Sequence, residues 1–170
     1  VQYANARINS IFRNLKLNIN KKINIEKEDF SLNDYEINIL KKIAEWPRCI
    51  EISSYHEFDH EKVYYYEDDN TGIKSLVAIH DSSKGPAIGG CRFKEYDSFE
   101  QGLNDVLRLS RGMTHKNNVA QIPFGGGKAI IFQESHKSDR LLRSYANFLN
   151  LLEGQYISAE DIGISLEDIR

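Results

Sequence analysis

The chain has 170 residues, 41% hydrophobic and 28% charged, enough for one domain or one domain with an extension, and a composition that excludes wholesale disorder. Its 22 Lys and Arg against 25 Asp and Glu leave a net charge of −3, which speaks against a general nucleic-acid binder. Two cysteines, Cys49 and Cys91, cannot build a disulfide framework, and no apolar run approaches a membrane span. A reducing, cytoplasmic setting without membrane contact is therefore expected. The first residue is Val1 rather than Met, which leaves a targeting segment upstream open.

Residues 1–25 contain no Asp or Glu but carry Arg7, Arg13, Lys16, Lys21 and Lys22. Apolar Ala4, Ile8, Ile11, Phe12 and Leu15 recur at helical spacing, which predicts a basic amphipathic helix docked on its own protein or a partner. Asn18–Asp29 is polar and biased, and reads as a linker. Ser31 caps a second helix that stops near Trp46, since Pro47 disfavours helix in the residue before it. Residues 1–48 are thus a helical extension, and 49–170 form the main domain.

From Val63 the texture changes. Val63–Glu67 and Ile73–His80 read as two strands joined by the turn residues 68–72, a β-hairpin. Gly85–Gly90 reads as a loop that lets backbone approach something closely. Ser98 and Gln101 match a capping box, behind which Leu103, Val106, Leu107, Ser110 and Met113 line one helical face as far as Lys116. Pro123 with Gly125–Gly127 reads as a second glycine-rich loop, and Ala129–Phe132 as a short buried strand. A helix over Ser138–Leu152 and a strand over Tyr156–Ser158 complete an α/β domain, a mixed sheet flanked by helices.

Three patterns bear on chemistry. His56, Glu57 and His60 fit H-E-x-x-H, the zinc-hydrolase spacing, but Asp59, Glu61 and Lys62 crowd charge onto that stretch and no third ligand is evident. Gly125-Gly126-Gly127-Lys128 invites a phosphate loop, but Ile122 and Ala129 stand where Gly and Ser or Thr are required. There is no G-x-G-x-x-G either. Lys116 at a helix end, Lys128 after three glycines and Asp161 after a short strand could converge on one pocket. Two adjacent lysines would lower each other's pKa, which suits a general base.

Over His80–Ile131 the sequence resembles the Glu/Leu/Phe/Val amino-acid dehydrogenases. The carrying segments are His80-Asp81, Gly85–Phe93, Leu109–Asn117 and Pro123–Lys128, with Tyr156–Gly163 downstream. The resemblance covers roughly residues 50–170 and points to leucine dehydrogenase-like members, in which an N-terminal α/β domain holds substrate and builds the oligomer. It implies oxidative deamination of an L-amino acid to the 2-oxo acid and ammonia. NAD or NADP would be held mainly by a Rossmann domain that is absent from these residues. The resemblance further implies that Lys116 binds the substrate carboxylate, Lys128 activates water, and Asp161 exchanges protons with the amino group. Gly89 and Gly90 let backbone approach the substrate, and Met113 lines the pocket. Ile88, standing where glutamate-specific members carry lysine, implies an apolar substrate: leucine, valine, isoleucine, phenylalanine or tryptophan. The partners implied are amino acid or 2-oxo acid and further copies of the chain. Two other readings stay open: a stand-alone binding or assembly domain without catalysis, and the zinc hydrolase.

Overall fold

The computed structural model describes residues 47–51, 59–134 and 136–169, all within the compact unit Ile39–Arg170. The helices expected before Pro47 lie outside the described residues. Eight elements follow in order: β1 (Arg48–Glu51), β2 (Lys62–Asp68), β3 (Ile73–Asp81), β4 (Ala87–Lys94), α1 (Phe99–Val119), β5 (Gly125–Phe132), α2 (Asp139–Leu151) and β6 (Tyr156–Ala159). The strands form one sheet in the order β1-β2-β3-β5-β4-β6. Pairing is antiparallel from β1 to β5 and parallel from β5 through β4 to β6, the mixed α/β sheet expected.

Alternation along each strand sends successive side chains to opposite faces. Leu76, Ala78, Ile130 and Phe132 meet Leu103, Val106 and Leu107 of α1 on one face. Val77, Ile79, Ala129 and Ile131 meet Leu141, Tyr145 and Phe148 of α2 on the other. Each large side chain so buried contributes about 1.5–3 kcal/mol. The Tyr66 and Phe148 rings stack at 4.8 Å. The β2–β3 hairpin is closed by Asp68, whose carboxylate accepts from Asn70 N, Thr71 Oγ1 and, across the core, Ser144 Oγ. Ser98 accepts from Gln101 N and Ser138 from Leu141 N, the caps that start α1 and α2.

Two expectations are corrected. Ala87–Gly90 and Gly125–Gly127, read as loops, lie inside β4 and β5. Strand propensity argues against glycine, but here the neighbouring backbone leaves no room for anything larger. A Cβ on Gly89 would sit 1.9 Å from Gly127 O, and one on Gly125 would sit 2.1 Å from Asp81 O. The helix expected to fail after Lys116 runs on to Val119.

Candidate active site

Even-numbered positions of β5 face α1, and this places Lys128 on that side of the sheet. Lys128 is 6% exposed, and a charge so buried requires a partner. The partner is Asp161, whose Oδ2 accepts from Lys128 Nζ. Asp161 follows β6 in a loop pinned from two sides. Phe93 N donates to Ile162 O at 2.8 Å. Gly163, at φ 75°, lets the chain turn where a Cβ would lie 2.3 Å from Phe93 O. Gly90 backs the same residue: a Cβ there would meet Asp161 Cβ at 2.8 Å. The sequence reading missed a third member, Arg92. It shares strand parity with Ile88 and Gly90, and its Nε donates to Asp161 Oδ2 at 2.8 Å. Its Nη1 reaches Asp105 Oδ2 on α1 at 3.0 Å.

Burial pushes the Asp161 carboxyl up, but the hydrogen bonds from Lys128, Arg92 and the Ile162 backbone outweigh it and hold the group below the ordinary carboxylate range. Asp105 follows the same logic, with burial overcome by Arg108, Tyr96 and Arg92. A lysine ammonium and a carboxylate in contact, both partly shielded from water, form a pair able to hand protons to and from a bound amine or water.

Lys116 stands exposed on the last turn of α1 and makes no ion pair among the described residues. The structure does not bring it into the Lys128–Asp161 pair. Its neighbours tie that turn to the start of β5: Asn117 Nδ2 donates to Gly125 O at 2.7 Å. Thr114 packs on Gly126 and lies 2.9 Å from His80 Nδ1. Met113 is half-buried on the same turn. Ile88 is half-buried, paired between Gly126 and Ile157. Gly89 and Gly90 are both buried, and Tyr156 OH donates to Gly89 O at 2.5 Å. Packing against β5 at Gly89 and against the loop after β6 at Gly90 therefore demands glycine at both positions.

Gly125, Gly126 and Gly127 do not fit a phosphate cradle, since each is buried against Asp81, Thr114 or Tyr156. The described residues thus offer no fit for a dinucleotide along this stretch. Nor does His60 suit a zinc helix. It precedes a strand that starts at Lys62, and its Nε2 lies 2.8 Å from Ser110 Oγ and 3.0 Å from Leu107 O. His56 and Glu57 lie outside the described residues. Cys91 is fully buried, with its thiol pushed up to about 12 by burial, an inert packing residue.

The sequence pattern of the Glu/Leu/Phe/Val dehydrogenase dimerisation domain matches residues 60–170. Leucine dehydrogenase of Geobacillus stearothermophilus is 42% identical over 71% of this chain and 34% of its own length. L-tryptophan dehydrogenase of Nostoc punctiforme is 46% identical over 67% of this chain and 33% of its own length. The crystal structure of the Nostoc punctiforme enzyme superposes with a TM-score of 0.63, 46% identity, and coverage of 67% of this chain and 34% of that one. The chain spans about a third of the length of these relatives. A second pattern, the DALR anticodon binding domain, matches residues 1–68; its end overlaps β2, which is paired along its whole length with β3. The fold and these likenesses agree, and the chain belongs to the Glu/Leu/Phe/Val dehydrogenase family through that family's dimerisation domain.

Proposed function

We propose that residues 49–170 form the substrate-binding and oligomerising half of an amino-acid dehydrogenase that deaminates an apolar L-amino acid to its 2-oxo acid and ammonia. The observation that carries this reading is the buried ion pair of Lys128 with Asp161. Neither a scaffold nor a simple binding module needs a lysine 6% exposed beside a low-pKa carboxylate. Lys116, exposed at the end of α1, binds the substrate carboxylate. Lys128 accepts a proton from the attacking water, and Asp161 exchanges protons with the amino group. Ile88 and Met113, both half-buried, supply apolar wall, while Gly89 and Gly90 are buried and act through the close backbone packing they permit. The hydride acceptor is a nicotinamide cofactor, NAD or NADP, held outside the described residues. Homo-oligomer formation is supported by the description of the matched domain. Among the described residues no helix is long and apolar enough to cross a membrane.

The test is turnover of the native gene product, followed by reduction of NAD or NADP with L-leucine, L-phenylalanine, L-tryptophan and L-glutamate. Apolar substrates are expected to react and glutamate not. Lys128→Ala is expected to lose on the order of 10²–10⁴-fold in kcat. Full activity in Lys128→Ala would overturn the assignment. Binding of amino acid or 2-oxo acid by a gene product with no turnover would favour the stand-alone binding domain.

A second reading attaches only to the N-terminal segment. The anticodon-domain likeness over residues 1–68, together with residues 1–25 that are basic without an acidic residue, supports contact of that segment with transfer RNA. Salt-sensitive binding of tRNA, lost on deleting residues 1–48, is the expected result. Absence of binding would return the chain to the exclusion that its net charge of −3 suggests.

A further inference from the structure

Asp161 Oδ2 accepts from two cations at once, Lys128 Nζ and Arg92 Nε. The two differ in chemistry. A lysine that serves as a base must alternate between ammonium and amine, whereas a guanidinium keeps its charge throughout the accessible pH range. With Lys128 neutral, a half-buried Asp161 backed only by strand and loop would gain a proton or swing away. Arg92 is built to prevent that. Its Nη1 binds Asp105 Oδ2, and Asp105 is itself fixed by Tyr96 OH at 3.0 Å on Oδ2 and by Arg108 Nη2 at 2.8 Å on Oδ1. The side chains of Arg92 and Asp105 are 18% and 16% exposed, so the clamp is shielded from salt and water. Its planar fork addresses β4, the loop after β6 and α1 together.

We propose that Arg92, clamped by Asp105, is a positioning residue that keeps Asp161 ionised and oriented while Lys128 is without its charge. This rests on the reading of Lys128 and Asp161 as the proton-exchanging pair. The other titratable groups that face Asp161 do not take over the task. Cys91 and Tyr156 are both pushed up by burial and are neutral at physiological pH. Tyr96, also pushed up by burial and by Asp105, donates to Asp105 and not to Asp161. Asp105 acts on Asp161 only through the guanidinium it holds.

The test is a carboxyl-carbon NMR titration of Asp161 in the 170-residue chain, with Asp161→Asn for assignment. Lys128→Met mimics the uncharged lysine without removing its stem. In that variant the Asp161 midpoint is expected to stay below the ordinary carboxylate range. Adding Arg92→Gln is expected to release it upward, and Arg92→Lys to restore part of the depression. Should Arg92→Gln fail to fold, Arg92→Lys in the Lys128→Met background reads the same contrast, because it keeps a charge without the fork; an unchanged midpoint there counts against the proposal. Release of Asp161 by Lys128→Met alone, or no further shift on altering Arg92, overturns it. Neither result touches the turnover test above. Retained turnover in Lys128→Ala would sink the dehydrogenase assignment and leave the Asp161 titration as found.

Discussion

Gly126 lies directly beneath Thr114: a Cβ added at Gly126 would sit 2.1 Å from the Thr114 hydroxyl oxygen and 2.2 Å from its backbone nitrogen. This contact seats the last turns of α1 on β5, and with Asn117 on Gly125 O it fixes the height of Lys116 above the strand that carries Lys128. Gly126→Ala is expected to cost about 3 kcal/mol or more, because backbone must move to admit the methyl. Gly112, mid-helix on α1, has nothing within 4 Å of the corresponding Cβ, so Gly112→Ala is expected to stabilise by about 0.5–1 kcal/mol. Urea unfolding of the two variants checks both signs.

Asp161, Asp105 and Asp68 all titrate below the ordinary carboxylate range, burial being outweighed in each by hydrogen bonds that the ionised form accepts. A carboxylate whose folded pKa is depressed stabilises the fold above its unfolded pKa, about 3.9 for Asp, and loses that contribution as pH falls through the folded value. Stability is therefore expected to drop steeply below about pH 4. Asp68→Asn is expected to flatten that drop while costing stability at pH 7. Urea midpoints from pH 7 to pH 3 supply the measurement.

His60 and His80 face one another edge-on at 4.9 Å. Burial, with the neighbouring His80, lowers His60 to about 4, and burial with Arg111 lowers His80. The unfolded chain takes up these protons first, near pH 6.5, so stability contributed by the neutral rings is full above that pH. It is expected to decline from there down to about pH 4, where His60 titrates in the fold. NMR of the imidazole carbons should place the His60 midpoint near 4, and a midpoint at or above 6.5 would contradict the burial of the ring beside His80.

Cys49 is exposed and Cys91 buried. A thiol reagent at pH 8 is expected to label Cys49 in the folded protein and Cys91 only after denaturation. Labelling of native Cys91 at a comparable rate would mean that β4 opens far more readily than its place between β5 and β6 allows.

The capped start of α1 was legible because Ser98 acts on backbone three residues away. The hairpin was legible because Asp68 and Gly72 shape a local turn. Strand β1 gave no signal: it is four exposed residues that, among the described strands, pair with β2. Arg92 was invisible for a similar reason. Nothing local distinguishes it from a solvated surface arginine, and its partners lie 13 and 69 residues away.

The sequence by itself determined the elements with strong periodicity or caps, the apolar face of α1, and, through the resemblance carried by residues 80–131 and 156–163, the family and its candidate charged residues. Only the tertiary structure decided that Gly89–Gly90 and Gly125–Gly127 are strand residues, because the cause is the distance of another backbone and not any preference of glycine for extended chain. It likewise decided that Lys128 pairs with Asp161 and not with Lys116. Which charges meet depends on strand parity and on the order in which β5, β4 and β6 lie side by side, a long-range arrangement that no window of sequence contains.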